Sequence, residues 1–145
     1  MISRTMLPLV ISYVLLIGAG VLFLQAPPVS LADSTYASLI VVWSMFYIVG
    51  PSVALASIAV RTFRHIKHIT ALWYFEVAGL SLIVVANLIY SYALLRLGLA
   101  ESEYNLIAFS LVISAFASSF TGRIIDVLKL VKAVNSVSLD GRDKK

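Results

Sequence analysis

Arg61-Thr62-Phe63-Arg64-His65-Ile66-Lys67-His68 is the stretch that decides the fold, because it breaks two long apolar halves of the chain with a short basic segment. Each half holds enough apolar residues to cross a bilayer twice, so the octapeptide reads as the turn between two helical hairpins. The expected fold is therefore all-α: an integral membrane four-helix bundle built from two helical hairpins, with an amphipathic cytoplasmic helix extension at the carboxyl end. The whole chain supports the same reading, since 145 residues with 61% apolar and 12% charged side chains and a mean hydropathy of +0.99 leave too little polar surface for a water-soluble domain.

Upstream of the turn lie two runs. Met6 to Ala26 is uncharged and, as a helix, about 31 Å long, which matches a hydrocarbon core of roughly 30 Å. A cleaved secretory signal is the competing reading, with Ser30-Leu31-Ala32 as a small-residue cleavage site; the run is longer than a usual signal h-region, which favours a retained span. Pro27 and Pro28 stop it. Tyr36 to Val60 is the second run and carries Gly50-Pro51 inside it. The missing Pro51 N–H and the ring clash with the Tyr47 carbonyl predict a kink there, read as a static bend ahead of a hinge or gate.

Downstream, Thr70 to Leu95 forms the third run, with Trp73 and Tyr74 as interfacial anchors at one end and Tyr90 and Tyr92 at the other. Arg96, Glu101 and Glu103 make the next loop, and Tyr104 to Gly122 is the fourth run. From 123 to 134 the pattern turns amphipathic, with Arg123, Asp126, Lys129 and Lys132 at spacings of three. This extension is expected to leave the bilayer or lie along its surface, in one domain spanning 1–134 and followed by a flexible polar tail over 135–145.

The basic residues also set the orientation. Arg4, Arg61, Arg64, Lys67, Arg123, Lys129, Lys132, Arg142, Lys144 and Lys145 fall on one side of the expected spans and Arg96 alone on the other, a split of ten to one. Both termini and the central turn are accordingly expected in the cytoplasm, in a bacterial inner membrane. The basic turn and the basic extension would meet anionic headgroups there, at about 1 kcal/mol per residue near the surface, or an acidic partner. Charge bunched at span ends is not a nucleic-acid surface.

Two kinds of residue inside the runs stand out. Ser110, Ser114, Ser118 and Gly122 recur every four positions on the fourth run, and Gly79, Ala86 and Ala93 every seven on the third. Small residues let helix backbones approach closely, which matters in lipid because apolar burial gives no drive for association. Both stripes read as packing faces, within one chain or between copies. Glu76, with Asn87 eleven positions on, supplies polar groups within a span. An intramembrane carboxylate is by default a functional candidate, and a Glu76, Ile83, Asn87 stripe would line a polar path. The plainer reading pairs Glu76 with Arg123 or Arg61 and lets Asn87 bond a neighbouring helix.

The sequence offers no chemistry beyond this. There is no cysteine; His65 and His68 lack further metal ligands and sit in a basic turn; no phosphate loop, hydrolase triad or metalloprotease motif is present. No enzyme and no cofactor are expected.

Length, four spans, cytoplasmic termini, a small-residue stripe and a charged tail together resemble holins, small phage proteins that oligomerise to permeabilise the inner membrane. The stretches Leu72-Trp73-Tyr74-Phe75-Glu76-Val77-Ala78-Gly79 and Gly122-Arg123-Ile124-Ile125-Asp126-Val127-Leu128-Lys129 are similar to those of four-span proteins of actinobacterial phages. The resemblance implies activity through assembly of the third and fourth helices, with no catalytic residue. The alternatives are a non-catalytic accessory or scaffold subunit of a larger membrane complex, and a small multidrug transporter using Glu76. That transporter family carries its membrane-embedded Glu in the first helix, and the first run here has no acid.

Overall fold

A computed structural model describes residues 7–27, 37–63 and 70–140. Four helices account for nearly all of them: α1 (Leu7–Gln25), α2 (Ala37–Phe63), α3 (Thr70–Glu101) and α4 (Tyr104–Asp140). All four are long and apolar enough to cross a membrane. Helices are the form this composition has to take, since a span in hydrocarbon must satisfy every backbone N–H and C=O within itself.

The helix ends follow local chemistry. α1 stops just before Pro27. α3 continues past Leu95 to Glu101 and closes with a left-handed residue, Ser102 at φ 57°, while the Glu103 N–H donates to the Gly98 carbonyl at 2.9 Å. This bond five residues back is the Schellman way of capping the last carbonyls. α4 does not divide at Gly122; it runs unbroken for 37 residues, about 55 Å. It carries the amphipathic segment within the same helix and extends past Val134, so 135–140 is helical where a flexible tail was expected.

The helices form an open row. α1 packs on α2, α2 on α3 and α3 on α4, whereas among the described residues no Cα of α1 comes within 8 Å of one in α3 or α4. Only side chains reach across the gap, as where the Tyr13 and Phe120 rings stack at 6.3 Å. The expected bundle is thus open along its α1/α4 side. α2 and α3 are the inner helices, and α1 and α4 turn Leu15, Leu22, Phe109 and Leu111 outward. Such faces suit hydrocarbon and would be a liability in water.

α2 and α3 cross in close contact at a pair of glycines. A Cβ added to Gly79 would collide with the Gly50 carbonyl and stand 2.9 Å from the Ala54 nitrogen; one added to Gly50 would stand 2.8 Å from the Gly79 carbonyl. These two glycines are the crossing point of the helices, where absent side chains let backbones touch. α2 is one continuous helix through Pro51, whose ring is buried, and Gly50, expected as part of a kink, also serves close approach to α3. Gly20 does the same for α1 on α2, since a Cβ there would lie 2.8 Å from Ile48 Cγ1.

Candidate functional site

Glu76, in the second turn of α3, is wholly buried between Arg61 of α2 and Arg123 of α4. One carboxylate oxygen, Oε1, accepts from Arg123 Nε at 3.2 Å and Nη2 at 2.9 Å. The other, Oε2, accepts from Arg61 Nη2. The structure therefore brings together both partners named from the sequence as alternatives. Among the described residues these are the only two ion pairs. Arg61 lies with its guanidinium carbon 3.8 Å from the centroid of the Trp73 ring, a cation–π arrangement. Ser57 Oγ donates to the Leu72 carbonyl beside it and ties α2 to α3 at the same level.

The cluster is rich in donors. Arg61 Nε and Nη1, Trp73 Nε1 and the Tyr13 hydroxyl are buried with no hydrogen-bond partner among the described residues. Among the described residues the two guanidinium groups face a single carboxylate, which leaves one positive charge in excess. Buried polar atoms of this kind are uncommon in native proteins, and each asks for a partner. Trp73, expected at a membrane interface, is half-buried beneath Arg61.

Farther along the same helices lies a neutral network. Trp43 Nε1 donates to the Ala86 carbonyl at 2.8 Å, the Tyr47 hydroxyl donates to Asn87 Oδ1 at 2.9 Å, and Asn87 Nδ2 donates to the Ile83 carbonyl at 2.9 Å. Phe23 stacks on Trp43 at 4.8 Å and Tyr90 tilts against it at 5.1 Å. Tyr90, expected as an interfacial anchor, thus packs inside the row, while Tyr92 stands 68% exposed. Leu80 and Ile83, both fully buried, fill the α3 face between Glu76 and Asn87. The polar path considered for that face is therefore interrupted by hydrocarbon.

The two small-residue stripes fare differently. Gly79, Ala86 and Ala93 are all buried, Gly79 at the crossing and Ala86 beneath the Trp43 indole. On α4, Ser110 is buried and Ser114 half-buried, and Ser91 Oγ of α3 lies 2.8 Å from the Ser110 carbonyl and 2.7 Å from Ser114 Oγ. Among the described residues Ser118 and Gly122 have no packing partner: Ser118 is exposed and bonds its own helix, at the Ser114 carbonyl, and a Cβ on Gly122 would meet nothing within 4 Å. The physical reason is angular drift. At 3.6 residues per turn a four-residue step advances about 40° around the axis, whereas a seven-residue step drifts only about 20°.

Beyond these, Lys129 and Lys132 are exposed on α4, with Val127 and Val131 buried on its other side. Arg64, Lys67, His65 and His68 lie outside the described residues. A cleft of about 370 Å³ opens between α1 and α4, lined by Leu15, Leu16, Phe116 and Phe120, with Tyr47 and Asn87 also reaching it. Sequence reasoning passed over Tyr13, Trp43 and Tyr47. Their signal was a polar aromatic well inside an uncharged run, Tyr13 singly and Trp43 with Tyr47 one helical turn apart.

No protein-family model matches this chain, and no curated protein or solved structure matches it either.

Proposed function

We propose that this chain is an integral protein of a bacterial inner membrane, with both termini cytoplasmic, that acts without a reaction centre by assembling into a holin-like permeabilising oligomer. The observation that carries this reading is the outward face of α4, where Ala115, Ser118, Ser119 and Gly122 are exposed side by side and Gly122 has open space before it. In lipid, a strip of small residues with no partner in its own chain is suited to receive a helix of another copy. The polar groups of the spans support the same reading, because Glu76, Asn87, Ser91 and Ser110 are engaged within the chain and Leu80 and Ile83 interrupt the path a transported ion would need.

The test is entry of a normally excluded dye after induction in bacterial cells, with expression measured in parallel. Abrupt entry is expected, and Ser118→Leu with Gly122→Leu should abolish it at unchanged expression. Intact membranes at good expression of the unmodified chain would overturn the proposal. They would favour the second reading, an accessory subunit, to which the exposed Lys129 and Lys132 lend a docking surface at the same end as the ion pairs.

A further inference from the structure

We infer that the Arg61–Glu76–Arg123 cluster and the adjoining α1/α4 cleft form one binding site for an anionic phospholipid, with its phosphate on the cluster and one acyl chain in the cleft. The inference goes beyond permeabilisation and does not depend on it.

The head of the site follows from the donor surplus. Both Glu76 oxygens already accept from the arginines, and among the described residues no acceptor reaches the buried donors Arg61 Nε, Arg61 Nη1 and Trp73 Nε1, or the Tyr13 hydroxyl. Water would answer the hydrogen bonds and leave the excess positive charge. An oxyanion answers both, and phosphate is well matched to the planar fork of a guanidinium. Access is by way of Arg123, whose side chain is 25% exposed where that of Arg61 is 9% exposed.

The tail of the site follows from position. Phe120 lines the cleft and stacks on Tyr13 at 6.3 Å, and Arg123 comes three residues later, one helical turn along the same helix. Ser12, next to Tyr13, also lines the cleft. The cleft-lining residues Ser12 and Phe120 therefore adjoin the cluster residues Tyr13 and Arg123 along α1 and α4. Because α1 and α4 make no backbone approach, the cleft lies between two helices long enough to span the bilayer, where an acyl chain can enter from the side. A phosphate with hydrocarbon attached satisfies both parts, and a free phosphate only the first.

The experiment uses the full chain purified in mild detergent and native mass spectrometry of lipid retention. Phosphatidylglycerol and phosphatidylcholine of identical acyl chains are offered separately, with inorganic phosphate added in excess to a third sample. A one-to-one phosphatidylglycerol adduct is expected, retained about tenfold over phosphatidylcholine, or about 1.4 kcal/mol, because the choline of the latter offers the same phosphate oxygens but brings a positive charge back to a site already in excess of it. Arg123→Gln should remove the preference for phosphatidylglycerol. Ala19→Phe, which fills the cleft and leaves every charge in place, should weaken retention of that lipid; circular dichroism and gel filtration establish that each variant is folded. Equal retention of both lipids, or full retention by folded Ala19→Phe, would overturn the inference. So would displacement of the lipid by inorganic phosphate, which would assign the cluster to the free anion.

Discussion

At one end of α3, Glu76 sits between two arginines amid more donors than acceptors; eleven residues along, Asn87 sits in a network where Trp43, Tyr47 and Asn87 each donate to a named acceptor. Both groups are buried at the same α2/α3 contact. The neutral network closes on itself and needs nothing further to hold α2, α3 and the aromatic side chains of α1 together. Ser44, buried without a partner on α2, is a hydroxyl that can turn toward its own helix. The charged cluster does not close, and burial makes an unmatched cation costly. The two groups thus differ in the balance of donors and acceptors, which is even in the neutral network and weighted to donors in the charged cluster.

The largest expected effect comes from removing the one acceptor of the charged cluster. Glu76→Gln leaves Arg61 and Arg123 buried together without a counter-charge and should destabilise the fold by about 3–5 kcal/mol, measured by reversible unfolding in mixed detergent micelles. A loss below that range would mean that the cluster is better hydrated than its burial indicates.

Gly79→Ala tests the joint between the two networks. Its methyl would meet the Gly50 backbone, which cannot swing aside as a side chain can, so a loss of about 1–3 kcal/mol is expected in the same assay. Stability equal to the unmodified chain would show that the helices can part at no cost and that the crossing does not fix their register.

Tyr47→Phe removes one donor from the balanced network and leaves Asn87 Oδ1 without that partner. Hydrogen bonds between membrane helices are modest, so about 0.6–2 kcal/mol is expected. A loss as large as that of Glu76→Gln would erase the distinction drawn between the two networks.

The smallest effect on the fold of the single chain should come from Ser118→Leu with Gly122→Leu, on the outward face of α4. With open space before Gly122, unfolding should shift by no more than about 0.5 kcal/mol, while cross-linking in membranes should show loss of oligomer. Unchanged cross-linking would remove this face from the assembly.

Much of the fold was legible because the bilayer reduces it to length and hydropathy: uncharged runs of about 20 residues have to be helices, and the runs beginning at Thr70 and Tyr104 start where the helices start. The α3 stripe of Gly79, Ala86 and Ala93 was legible because seven residues nearly close two turns. The α4 serine stripe misled at its far end because four residues do not close one turn, so Ser118 and Gly122 rotate away from α3. Glu76 announced itself as a lone intramembrane acid with arginines in range.

Four helical segments, the small-residue face of α3 and the two arginines open to Glu76 are periodic or compositional properties that a chain carries along its length. That Glu76 takes both arginines, that Gly50 crosses against Gly79, that Tyr13 and Trp73 add donors to the charged cluster, and that α1 and α4 stand apart around a cleft come from the packing of the helices. Those facts depend on the register and spacing between helices far apart in the chain, and such distances are set by how side chains interlock.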